Sequence, residues 1–146
     1  MLYHGTNSAL QSLKPQAVVD QRELIKVGNL SNALYASEYY QEALVHAVSK
    51  AMKWDGHAGY GHNGEIWSIS LPVDKNDMPK SEKIFIYELD PKNFKKNSLD
   101  EWYTDKEVVP VRKIELTIGE ALGHFDEVRY LGKKEDETHR ENEKWL

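Results

Sequence analysis

A single strong amphipathic helix set among strand-like segments constrains this chain more than any other feature. Across residues 38–54, Tyr40, Leu44, Ala47, Val48, Ala51 and Met52 trace one face of a 3.6-residue period. Such a stripe must be buried, and most of what the chain offers as a partner is strand. Ser37 stands at the N-cap position, and Glu38 follows in the first turn, where a carboxylate complements the helix dipole.

The strand signals lie on both sides of this helix. Residues 1–4 are apolar and run into the polar turn Gly5-Thr6-Asn7-Ser8. Residues 32–37 (NALYAS) read as a short strand leading into the helix. Residues 66–73 alternate with period two, and residues 83–89 (KIFIYEL) form a second good strand. Residues 107–116 form a third, which Pro110 demotes to an edge or bulged position because it lacks an N–H. Residues 9–13 read as a helical turn, residues 15–32 as a mobile loop, and residues 55–64, with four glycines, as a loop. Thr117 and Glu120 match a capping box that opens a short helix through Phe125.

These elements do not alternate as strand and helix, and no glycine-rich phosphate loop is present, which argues against Rossmann and P-loop folds. The expected class is α+β, a split antiparallel β-sheet with one principal helix packed on it. Residues 1–125 read as the folded domain and 126–146 as a charged C-terminal tail.

Composition narrows the chemistry. At 146 residues the chain suits one domain. The absence of cysteine excludes disulfides, thiolate metal ligands and a cysteine nucleophile. The net charge of −5, from 19 basic and 24 acidic residues, allows a nucleic-acid partner without favouring one. No apolar run approaches the roughly 20 residues of a membrane helix, and the first residues lack the pattern of a signal peptide. A cytoplasmic protein with no membrane partner is the expectation.

Three places could carry chemistry. His4 ends a strand and precedes Gly5, where the missing Cβ would let a planar ligand approach the backbone; the alternative is a histidine that caps the turn. Tyr35 precedes the helix and offers a ring for stacking, with Tyr39 close by, whereas Tyr40 lies on the apolar stripe and reads as core. The acidic stretch 100–107 precedes a strand, and a carboxylate there could bind a sugar hydroxyl or support developing positive charge. His57 and His62 lack the third and fourth ligands of a metal site and read as a flexible loop over the cleft. His46 reads as structural, and His124 and His139 as solvated.

In order along the chain, Tyr3-His4-Gly5-Thr6, then Leu34-Tyr35-Ala36-Ser37, then Glu107 before a valine run resemble the ADP-ribosyltransferase superfamily. The likeness is to its His-Tyr-Glu branch, shared by poly-ADP-ribose polymerases, diphtheria-type toxins, the compact rifampin ADP-ribosyltransferases and small bacterial or phage proteins. It spans roughly residues 1–118, with Phe85-Ile86-Tyr87-Glu88-Leu89 and residues 108–115 similar to the later sheet strands. The resemblance implies an enzyme that uses NAD as substrate. His4 would bond ribose hydroxyls and Gly5 would clamp the nicotinamide amide. Tyr35 would stack on the ring with Tyr39 as a second wall, and Thr6 and Ser37 complete the cofactor-binding set. Glu107 would be the catalytic carboxylate beside His4 and Tyr35, with Glu101 as its alternative. The acceptor, whether protein, nucleic acid or small molecule, stays open. A catalytically inactive nucleotide- or protein-binding module of the same fold is the second reading. An RNA 2′-phosphotransferase ranks last, because arginine occurs only at Arg22, Arg112, Arg129 and Arg140.

Overall fold

The computed structural model describes residues 1–18, 27–28, 30–52 and 58–132. Its elements run β1 (Leu2–Thr6), β2 (Gln16–Ala17), β3 (Asn32–Ala36), α1 (Tyr40–Met52), β4 (Gly59–Asn63), β5 (Ile66–Leu71), β6 (Lys83–Leu89), β7 (Lys95–Lys96), β8 (Trp102–Thr104), β9 (Arg112–Thr117), α2 (Ile118–Leu122) and β10 (Glu127–Tyr130). The class is α+β, with mostly antiparallel strands and few helices. Strands β1, β6 and β9 form one antiparallel sheet, and β2, β3, β8 and β7 another. In the third, β5 pairs antiparallel with β4 and parallel with β10.

Strand β6 organises the core because it is apolar on both faces. Ile84 and Ile86 join the larger cluster, where Leu44, Ala47, Val48 and Ala51 of α1 meet Trp67, Ile69 and Leu71 of β5. Phe85, Tyr87 and Leu89 point the other way and pack with Leu2, Leu13, Leu34 and Phe94. Burying a side chain such as Ile84 or Ile86 completely contributes roughly 1.5–3 kcal/mol, so this strand anchors both layers. The alternation read from 66–73 holds, with Trp67, Ile69 and Leu71 all buried. The capping box forms as well: the Thr117 hydroxyl accepts from the Glu120 N–H while the Glu120 carboxylate accepts from the Thr117 N–H.

Several elements differ from the sequence expectation. Within the glycine-rich loop, residues 59–63 form strand β4, turned into β5 by Gly64 at φ +63°. The glycines assist this pairing, since a Cβ on Gly61 would fall 2.7 Å from Ser68 Oγ across the ladder. The strand expected from residue 107 begins at Arg112, because Pro110 interrupts it and Val108 makes an isolated bridge to Leu13 instead. That bridge also replaces the helical turn expected at 9–13. The sheet extends past residue 125, because β10 pairs with β5 through Glu127↔Ser68 to Tyr130↔Leu71. Part of the segment expected as a charged tail, Glu127–Tyr130, is therefore a paired strand. Half of the presumed loop at 15–32 (19–26 and 29), together with His57 and the tail from residue 133 with His139, lies outside the described residues. Among the described residues no helix is long and apolar enough to cross a membrane.

Candidate functional site

The site begins where two strands stop pairing. β1 and β3 meet at an isolated antiparallel bridge, in which Tyr3 N–H donates to Ser37 O at 2.7 Å and Ser37 N–H donates to Tyr3 O at 2.9 Å. Continued by two residues, that ladder would pair Gly5 with Tyr35. Side chains take those places instead. The His4 ring donates from Nδ1 to the Tyr35 carbonyl at 2.7 Å, and Lys50 Nζ donates to the Gly5 carbonyl at 3.2 Å. Because successive main-chain groups alternate in direction, the Gly5 amide and carbonyl face the same side as those of Tyr3, into the opening.

Beside this opening lies a cleft of about 660 Å³ lined by His4, Thr6, Ser12, Leu34 and Lys50 and by further residues of the 8–16 segment. Its lining includes the hydroxyl residues Thr6, Ser8 and Ser12, and Thr6 is buried at 6% exposure. Burial first, then the charge of Lys50, pull the His4 pKa down to about 4. The imidazole is therefore neutral at pH 7. Because a carbonyl only accepts, the ring proton sits on Nδ1, which leaves Nε2 as an acceptor suited to a hydroxyl donor. Burial lowers the Lys50 pKa too.

The other candidate residues are placed as follows. Glu107 is exposed at the rim, where its carboxylate accepts a 2.6 Å hydrogen bond from Ser12 Oγ, a lining residue. Tyr35 reaches His4 through its main chain, while its ring packs against the Val27, Ala33 and Tyr103 cluster, outside the cleft lining. Ser37 closes the opening: its hydroxyl accepts from the Tyr39 N–H at 3.0 Å and donates to Glu42 at 3.1 Å. Tyr39 is 47% exposed, with its ring centroid 5.3 Å from that of His62 and 5.4 Å from that of Trp67. His62 itself stacks on Trp67 at 3.9 Å. Glu101 accepts from Asn97 Nδ2 in the turn before β8, apart from the cleft lining. Tyr40, expected in the core, is half-buried and makes edge contacts with Tyr3 and with His124.

Gly5 departs most from its expected use. A Cβ there would lie 1.9 Å from the Ala43 carbonyl oxygen of α1 and 3.1 Å from the Ala47 Cβ. The space freed by the missing side chain is filled by the helix. A ligand would meet Gly5 through its edge, where the carbonyl bonds Lys50.

Sequence reasoning missed Lys50, Ser12 and Glu42. Lys50, His46 and Glu42 are four residues apart on the polar side of α1, so the helical period that exposed the apolar stripe also aligned them. Glu42 is held below the usual carboxylate pKa chiefly by its neighbour His46, 3.9 Å away, and by the hydrogen bond from Ser37, against the opposing effect of burial. Among the described residues no group of three or more His, Asp or Glu could hold a metal ion. Comparison with protein-family models, curated proteins and solved structures finds no match to this chain.

Proposed function

We propose that this chain is an NAD-dependent mono-ADP-ribosyltransferase with a split-sheet domain of the ADP-ribosyltransferase type. One observation carries the reading: the β1–β3 ladder opens after a single bridge, and His4 and Lys50 occupy the vacated hydrogen-bonding positions beside the cleft. In this reading neutral His4 accepts a ribose hydroxyl at Nε2, the Gly5 N–H meets the nicotinamide amide, and Thr6 and Lys50 meet the phosphates. Cleavage takes the glycosidic electron pair to the nicotinamide nitrogen, which becomes neutral, and leaves positive charge on the ribose ring. Glu107 supports that charge from the rim. The acceptor nucleophile then bonds the ribose carbon and gives up its proton.

A preorganised charge of this kind is commonly worth 10²- to 10³-fold in rate, about 3–4 kcal/mol of barrier. Glu107→Gln is therefore expected to slow nicotinamide release by that factor while NAD affinity stays within a few-fold. The test follows nicotinamide released from NAD by the purified protein, with protein, nucleic-acid and small-molecule acceptors. No release from wild type across these acceptors overturns the proposal.

A second reading, a binding module without turnover, is favoured by the engagement of Glu107 with Ser12 and by the helix filling the open side of Gly5. It expects ADP-ribose to bind wild type and to be lost from His4→Ala by calorimetry, with no nicotinamide released.

A further inference from the structure

One wall of the opening carries opposite charges at its two ends. Glu42, His46 and Lys50 are spaced by four residues, so they lie along one side of α1, away from the buried Leu44, Ala47, Val48 and Ala51. At the Lys50 end the ammonium reaches the Gly5 carbonyl and lines the cleft with His4 and Thr6. At the Glu42 end the carboxylate takes the Ser37 hydroxyl at 3.1 Å, directly beside the bridge that closes the opening. His46 stands between them, 3.9 Å from Glu42. Eight residues, about 12 Å of helix axis, separate the main-chain positions of Glu42 and Lys50.

The surroundings of the two ends differ in kind. Around Lys50 are hydroxyls and an imidazole. Glu42 instead has an aromatic neighbourhood: Tyr60 helps lower its carboxylate pKa, and Tyr39, Tyr60 and His62 gather around Trp67. Rings beside a carboxylate suit a flat cation, which gains from both the ring faces and the charge. The Glu42 side chain remains 26% exposed, so one side of it is open to such a group.

Resting on the NAD reading, we propose that α1 sets the direction of the bound dinucleotide. Lys50 takes the phosphates, and Glu42 faces the cationic nicotinamide ring before cleavage. NAD carries a positive ring and a negative pyrophosphate, so only one orientation satisfies both ends of the wall. Reversed about its pyrophosphate, the dinucleotide presents neutral adenine to Glu42. Glu42 is here a specificity-determining residue, distinct from the rim carboxylate Glu107, and it favours the oxidised ring over its neutral reduced form.

The test measures the affinities of NAD, NADH and ADP-ribose for wild type, Glu42→Gln and Lys50→Met. Wild type is expected to bind NAD about tenfold more tightly than NADH, a difference of about 1.4 kcal/mol. Glu42→Gln should abolish that preference while binding ADP-ribose as wild type does, which also establishes that the variant is folded. Lys50→Met should weaken all three ligands by a similar factor and keep the NAD:NADH ratio. A ratio unchanged in Glu42→Gln, or affinities unchanged in Lys50→Met, overturns the orientation and leaves the NAD reading standing. Failure of wild type to bind any of the three ligands overturns the NAD reading itself.

Discussion

On one face of β1, Tyr3 and Gly5 press against α1; on the other, His4 and Thr6 look into the cleft. The strand is only five residues long, and alternation alone divides its work between packing and site. The same four letters, Tyr-His-Gly-Thr, therefore mix two kinds of constraint. Tyr3 meets the Tyr40 ring edge-on at 5.6 Å, and Gly5 admits the Ala43 carbonyl, so those two residues answer to the helix. His4 and Thr6 answer to the cleft. A motif that resembles a binding signature can owe half of its residues to the core.

The sharpest way to break this division is Gly5→Ala. The added methyl meets a main-chain carbonyl at 1.9 Å, and backbone inside a helix cannot rotate aside as a side chain would. Overpacking costs about 1–3 kcal/mol where neighbours can adjust, and this contact should reach or exceed the upper figure. Thermal melting should fall by about 10 °C or more for a chain of this size. If the melting temperature holds and only NAD binding is lost, Gly5 serves the ligand and the two-face assignment is wrong.

His4 tests the opposite face through pH. Its pKa is depressed in the folded protein to about 4, from 6.5 when unfolded. As pH falls below 6.5 the unfolded chain takes up a proton that the native state refuses, so stability is complete above 6.5 and drains away as pH falls toward 4. A shift of this size corresponds to about 3 kcal/mol at most. Urea titrations of wild type and His4→Gln across pH 4–7 should differ by a sloping component in that window. Glutamine can still donate to the Tyr35 carbonyl, but it does not titrate. Parallel pH profiles would mean that the imidazole is solvated and the cleft face is not buried as described.

The parts of this architecture legible from sequence are those whose signals are local. β6 occupies residues 83–89 as expected because its apolar run is bracketed by charged turns, and the Thr117 capping box needs only four consecutive residues. The apolar face of α1 was visible from its period, although the helix begins at Tyr40, with Ser37 turning the chain ahead of it. Pairings between distant segments were not legible. β4 was hidden by its glycines, whose weak strand preference is overridden by the partner β5. The link between Ser12 and Glu107 spans 95 residues, and nothing in either neighbourhood announces it. For the site, motif order singled out His4, which lines the cleft, and Glu107, which meets the lining through Ser12. It could not single out the engagement of Lys50 with Gly5, because that depends on how α1 crosses β1.

The smallest expected effect concerns the roof of the cleft, and it compares a wall built by secondary structure with one built by a single hydroxyl. Residues 8–13 contribute much of the lining without forming helix or strand, apart from the bridge at Leu13. What fixes their middle is Tyr87 on β6, which is fully buried. Its hydroxyl accepts from the Leu10 N–H at 2.6 Å and donates to the Ser8 carbonyl at 3.1 Å. Tyr87→Phe keeps the ring in its apolar cluster and removes both bonds. Because the loop can recruit water for the two released groups, the loss should be about 1–2 kcal/mol rather than the full cost of two buried orphans. Amide exchange should then accelerate selectively at Leu10, while Ile84 and Ile86 follow only the change in global stability. Equal acceleration at all three amides would place the roof inside the same cooperative unit as the core. In that case the cleft would owe its shape to the whole fold, and no single contact could be said to hold it open.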